Sequence, residues 1–297
     1  MFAFAIFQAG TCTLDDITFT VNDHTVLASY NTDGTCVLPR MIIPGKPVPF
    51  DVIQFHVHTG SDHAVDGRYF GADLHIVHKE AGGSALSVLG LFLEPTDADG
   101  IPKFSDLLTE WEKVPTTTNL ACETGIGVSN ATVEQSGGMR KLSTEADEGA
   151  RKLARSFNPY ELLPAGATMY TYQGSLTTPP CLEIVFWNVV DTAVSISPRE
   201  FLRLTTLIID YVNPQTCEKA TVAADSGFTG RPVQNINGRP INRICPTDFV
   251  DPLAGVSSSV EDAPVSSPAT PAPKTPSGAT AASAAAAFAL AVLAAML

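Results

Sequence analysis

From Phe50 to His58 the chain reads Phe-Asp-Val-Ile-Gln-Phe-His-Val-His, a run rich in β-branched and aromatic residues that predicts a strand. Ala72 to His78 predicts a second, and Gly60 with Asp66-Gly67 between them supplies turns for an antiparallel pairing. Side chains alternate along a strand, so Gln54, His56 and His58 share one face while Phe55 and Val57 take the other. Asp73, His75 and Val77 share a face of the second strand by the same rule. The apolar runs that hold Val88, and Val185 with Trp187, predict further buried strands. Helical spacing follows Ser197-Pro198-Arg199-Glu200, a capping box with proline at the first helical position, after which Phe201, Leu204, Ile208 and Tyr211 form a stripe that packs on the sheet.

The histidines change this picture from a fold to a chemistry. Five of the six, His56, His58, His63, His75 and His78, fall between residues 56 and 78. Two imidazoles two residues apart on one strand and a third on its neighbour converge on one point, a tripod for a metal with a fourth tetrahedral position left open for water. Gln54 and Asp73 each sit one strand period before a ligand, where they hold the far nitrogen of His56 and His75 and fix its tautomer. His78 has the opposite parity from His75 and is expected to be structural.

Composition narrows the partners. The 297 residues are 44% hydrophobic and 16% charged, which is globular, and 18 Lys+Arg against 31 Asp+Glu give a net charge of −13 that repels phosphate backbones and excludes nucleic acid. Six cysteines stand far apart without a Cys-x-x-Cys, which disfavours a four-thiolate zinc knuckle and favours disulfides in an oxidising compartment. Residues 251–283 are rich in Ser, Pro, Ala and Thr and read as a linker. Ala284 to Leu297 carries no charge and is shorter than the roughly 20 apolar residues of a membrane span. With the small triplet Ser277-Gly278-Ala279 before it, this tail resembles a glycosylphosphatidylinositol signal, so the expected location is secreted or anchored at the extracellular face of the plasma membrane. Met1 to Phe7 has no basic residue before it and is shorter than a signal-peptide core, which leaves a start upstream of Met1 open.

Three blocks carry a family resemblance. Gln54 to His58, Ser61 to Gly67 and Ala72 to His78 resemble the zinc signature of the α-class carbonic anhydrases; Tyr172 to Cys181 is similar to that family's threonine loop, and Arg231-Pro232-Val233-Gln234 with Asn237-Gly238-Arg239 to its C-terminal block. The resemblance implies a mainly β (α+β) catalytic domain over residues 1–250, a large twisted, mostly antiparallel sheet with short peripheral helices. It implies reversible hydration of carbon dioxide to bicarbonate and a proton by a zinc-bound hydroxide, the family being itself the standard example of a three-histidine zinc with one open position. The ligands are then His56, His58 and His75. Thr177 is the gatekeeper whose hydroxyl donates to the carboxylate of Asp62, and the substrate pocket is Val77, Val88, Leu176, Thr178, Val185 and Trp187. His24, in Asn22-Asp23-His24, matches the segment that carries the proton-shuttle histidine.

The sequence also departs from the family. Asp62 and Asp73 stand where the family has glutamates, and Thr59 where an aromatic residue usually follows the second ligand; some bacterial and algal members share that threonine and its compact turn. The family's opening segment, with a cysteine that often pairs with the one matching Cys181, has no counterpart, so the chain is expected to be truncated at its N-terminus. Residues 115–158 are expected to be a surface insertion bearing the sequon Asn130-Ala131-Thr132, and Cys217 and Cys245 flank the C-terminal block as one candidate pair among several. Two rivals stand beside the enzyme reading: a catalytically silent binding module on the same fold, and a zinc hydrolase of esters. No protein partner is expected.

Overall fold

The computed structural model describes residues 5–43, 46, 48–124 and 157–244. The linker 251–283, the tail 284–297, Cys245, the sequon Asn130-Ala131-Thr132 and most of the expected insertion lie outside the described residues.

Among the described residues ten strands form one sheet. Its order is β1 (Ile6–Gln8), β4 (Arg40–Ile42), β5 (Phe50–Thr59), β6 (Ala72–Glu80), β7 (Leu86–Pro95), β9 (Val185–Ile196), β8 (Met169–Gly174) and β10 (Asn242–Ile244). A further strand, β3 (Val26–Tyr30), pairs with β5 and with β2 (Ile17–Val21). Among the described residues only β7 and β9 run parallel; the other pairs are antiparallel, including the histidine strands β5 and β6.

The sheet is covered on both sides because its central strands are apolar on both faces. On one face Phe55, Val57, Leu74, Ile76, Leu89 and Leu91 pack against α1 (Pro102–Thr124), which supplies Phe104, Leu107, Leu108 and Trp111 at helical spacing. Each such side chain contributes about 1.5–3 kcal/mol by leaving water. The Trp111 indole N–H donates to Leu27 O at 2.8 Å, so its burial orphans no donor. The other face gathers Val77, Val88, Phe92, Leu176, Val185, Trp187 and Val189. The predicted second helix is α2 (Pro198–Ile209): the Ser197 hydroxyl accepts from Glu200 N–H, the Glu200 carboxylate accepts from Ser197 N–H, and Leu204 and Ile208 are buried.

The first residues of the stretch expected to be a surface insertion, from Pro115, continue α1 to Thr124; the helix is held upstream by its buried stripe and at its end by a disulfide from Cys122 to Cys217. That bridge also means Cys217 is not the partner of Cys245. A second disulfide joins Cys12 and Cys36, and Cys181 is a half-exposed free thiol. Among the described residues no helix is long and apolar enough to cross a membrane.

His78 points away from the other strand histidines. It is fully buried, with Nδ1 3.1 Å from Ser87 O and Nε2 2.7 Å from the Tyr160 hydroxyl. A carbonyl only accepts, so Nδ1 carries the proton and Nε2 accepts from Tyr160; the ring is held neutral. Burial lowers its pKa from 6.5 to about 4. In the unfolded chain the same side chain protonates near 6.5, so the unfolded state binds more protons between those values and stability falls as pH drops from about 6.5 to 4. On acidification from pH 7 to pH 4 the parent should therefore lose about 3 kcal/mol more unfolding free energy than His78→Gln. Denaturant titrations at the two pH values measure this, and equal losses in both proteins would remove His78 from the acid response.

Candidate metal centre

The register of β5 against β6 brings the histidines together. Phe50, Asp51 and Val52 pair with Glu80, Lys79 and His78, but Gln54 pairs with Val77, which leaves Ile53 as an extra residue, a β-bulge. Beyond it Gln54, His56 and His58 lie opposite Val77, His75 and Asp73. Partners across an antiparallel pair share a face, so His56, His58 and His75 project together, all buried.

Their donor atoms lie within 4.8 Å of one another. His56 Nδ1 is 2.7 Å from Gln54 Oε1, an acceptor, so Nδ1 carries the proton and Nε2 keeps its lone pair. His75 Nε2 lies 3.1 Å from Asp73 Oδ2, whose charge favours the proton there and leaves the lone pair on Nδ1. Those two lone-pair nitrogens, His56 Nε2 and His75 Nδ1, stand 3.2 Å apart. Two nitrogens bonded to one tetrahedral zinc at about 2.0–2.1 Å come to nearly this separation. His58 is 3% exposed and neither of its nitrogens has a hydrogen-bond partner among the described residues, a costly state for a buried imidazole that coordination relieves. The chemistry and spacing of the donors therefore fit zinc.

The electrostatics agree. Burial and the neighbouring imidazoles push His56 well below its ordinary value, and burial takes His58 to about 4 against the opposing charge of Asp62. Both are thus neutral ligands. Burial also opposes the charged form of His75, but Asp73 outweighs it and raises the pKa. For Asp73 burial alone would raise the pKa; the charge of His75 and hydrogen bonding from His63 bring it below the usual carboxylate range.

His63 and Tyr172 have no role in the sequence reading, yet they complete this shell. His63 Nδ1 lies 3.3 Å from Asp73 Oδ2 and its Nε2 accepts from the Tyr172 hydroxyl at 2.9 Å, so the turn histidine steadies the carboxylate from behind. The available signal was its place among five histidines clustered in 23 residues.

Thr177 is half-buried and lines a cavity of about 750 Å³ with Asp62, His63, Trp187 and Arg231. Val77, Val88, Leu176, Val185 and Trp187 fall in one buried cluster, and Thr178 is half-buried beside Thr177. The expected bond from Thr177 to Asp62 is not formed: Asp62 Oδ1 accepts from Arg231 N–H at 2.6 Å, while Oδ2 has no hydrogen-bond partner among the described residues and lies 3.8 Å from His58 Nε2. The carboxylate is one methylene shorter than glutamate, and its two oxygens are turned to the backbone and to the ligand. His24 is half-buried in the turn between β2 and β3, next to Asp23, with its ring 6.1 Å from that of His58.

The sequence profile of the eukaryotic-type carbonic anhydrases matches residues 5–245. Human carbonic anhydrase 7 is 29% identical over 212 residues, covering 65% of this chain and 66% of that protein. A carbonic anhydrase of Nostoc sp. is 29% identical over 167 residues, 56% of this chain and 50% of its own. The chain thus spans between half and two thirds of the length of these relatives. Among solved structures, a hyperthermostable carbonic anhydrase from an active hydrothermal vent chimney matches with a TM-score of 0.52 at 26% identity, over 81% of this chain and 79% of that one. Carbonic anhydrase Cah3 from Chlamydomonas reinhardtii, solved with acetazolamide, shares the fold with a TM-score of 0.53 at 22% identity, over 82% of each chain. Because the profile match runs from before β1 to just past β10 and takes in every strand of the histidine face, the chain belongs to the eukaryotic-type carbonic anhydrase family.

Proposed function

We propose that the protein interconverts carbon dioxide and bicarbonate at a zinc ion held by His56, His58 and His75. The observation that carries this reading is the 3.2 Å approach of two lone-pair nitrogens, His56 Nε2 and His75 Nδ1, beside a buried His58 with no hydrogen-bond partner among the described residues. Zinc bound there supplies Lewis acidity that brings the ionisation of a coordinated water to about pH 7. The chain does the rest. Gln54 and Asp73 keep the ligand lone pairs turned inward, and His63 holds Asp73 in place. Val77, Val88, Leu176, Val185 and Trp187 form an apolar wall that suits an uncharged, linear substrate and excludes competing water. Thr177 and Thr178 offer hydroxyls beside that wall to hold and orient polar oxygens. His24, half-exposed beside the ligand cluster, accepts the released proton and passes it to solvent. The two disulfides support folding in an oxidising compartment, and the uncharged tail from Ala284 supports export with lipid anchoring at the outer membrane face.

One observation favours a rival: the unpartnered Oδ2 of Asp62 suits a weak or silent module on this fold. Stopped-flow hydration of carbon dioxide by the full chain decides between them. The proposal expects zinc-dependent hydration with about one zinc per chain, and loss of most of the metal in His75→Ala. Folded protein without stoichiometric zinc would sink it.

Asp62→Asn should lower hydration about tenfold or more while zinc stays bound, and Asp62→Glu, which restores reach toward Thr177, should raise it above the parent. Parent-like rates in Asp62→Asn would take Asp62 out of the reaction.

In dilute buffer His24→Ala should lower turnover about tenfold, with added imidazole restoring it. If mutant and parent turn over equally there, the proton leaves by another path.

A further inference from the structure

We infer that Arg231 is a positioning residue for this reaction, locking the threonine loop and Asp62 to one another; the inference rests on the function proposed above. Asp62 stands four residues after the ligand His58, and Leu176 immediately precedes Thr177. Arg231 bonds to both. Its backbone N–H donates to Asp62 Oδ1 at 2.6 Å, and its guanidinium donates to Leu176 O at 3.2 Å and reaches the Ser175 hydroxyl at 3.4 Å. Because Asp62 Oδ2 has no hydrogen-bond partner among the described residues, the hydrogen bond that orients this carboxylate is made by its other oxygen, to Arg231.

Arg231 is itself held firmly. It ends a strap, Gly227 to Arg231, that lies along the end of β5 and the turn after it. The Thr59 hydroxyl donates to Gly227 O, and Thr229 N–H donates to Thr59 O at 2.7 Å. The Phe228 ring covers Gly60, where a Cβ would fall 2.0 Å from the ring, so the strap sits closer than any other residue at 60 permits. Thr59, standing where the family usually has an aromatic residue, thus ties down the strap by hydrogen bonds, and Phe228 supplies an aromatic ring one residue further along.

On the far side, Ser175 O accepts from the Trp187 indole and Leu176 N–H donates to Leu182 O. The guanidinium is therefore the tie between this loop and the strand end that carries His58. One terminal nitrogen, Nη1, reaches both acceptors, and its planar geometry fixes their directions more closely than the rotating ammonium of a lysine does.

The test is Arg231→Ala in the zinc-loaded full chain, since alanine keeps the backbone bond to Asp62 and removes only the side-chain tie. The inference expects kcat for hydration to fall about tenfold to a hundredfold, the effect of a misplaced reacting geometry, with zinc content unchanged and KM within about twofold. Amide hydrogen exchange at Leu176 to Thr178 should quicken while exchange at Thr59 to Asp62 does not. Arg231→Lys should retain more activity than Arg231→Ala, and guanidinium added to Arg231→Ala should restore part of kcat and slow the loop exchange. Parent-like kcat in Arg231→Ala overturns the inference alone. So does a loss of kcat with exchange quickened across the whole sheet and no rescue by lysine or guanidinium, which marks a folding role. A parent that binds zinc and hydrates no carbon dioxide overturns the inference together with the proposed function.

Discussion

The metal centre depends on one extra residue. If β5 ran against β6 without the bulge at Ile53, the pairing of Val52 with His78 would continue to His56 with Leu74, and His75 would face away from both of its fellow ligands. The bulge moves the register by one and puts His56 across from His75. The pairings beyond it inherit that choice: Gln54 with Val77, His56 with His75 and His58 with Asp73, while the places of Asp73 and His78 relative to His75 follow from alternation within β6 itself. The same alternation divides the sheet into an aliphatic side sealed by α1 and a side that mixes imidazoles, a carboxylate and an apolar wall.

A buried cluster of this kind is tolerable only if its polar atoms are satisfied by one another. The chain does this in series. Tyr172 donates to His63, His63 to Asp73, and Asp73 attracts the proton of His75, which leaves a single lone pair turned inward. Gln54 performs the same service for His56 with a neutral group. His58 has no such partner among the described residues, so it is the ligand whose orientation is set mainly by packing and by the bond to metal. The result is two imidazoles, His56 and His58, kept neutral by burial and a third, His75, whose proton is drawn to the side of Asp73, so that the inward lone pairs are offered to a cation.

Much of this was readable in the sequence because it rests on local rules. Parity along a strand picked out the shared faces of Gln54, His56 and His58 and of Asp73, His75 and Val77, and the capping box located α2. What escaped depends on contacts between distant segments or on a break in a rule. The bulge hides in Val52-Ile53, two successive apolar residues that a fully buried strand tolerates without any other sign. The helix α1 went unread altogether, and Pro115, an ordinary stop signal, falls inside it, overridden by the buried stripe upstream and the disulfide at its end. The pairing of Cys122 with Cys217 and the bonds of Arg231 join residues far apart in the chain, where spacing is silent.

The Cys122 to Cys217 bridge has a further consequence, because it spans residues 125–156. A chain cut anywhere in that interval would stay one molecule under oxidising conditions, with β7 and β9 still side by side across the cut. All three imidazole ligands would lie on the first fragment, and the threonine loop, Trp187 and Arg231 on the second. The disulfide then becomes the covalent link between metal binding and substrate positioning, and a reductant would change from a stress on the fold to the agent that lets the two halves of the active site separate.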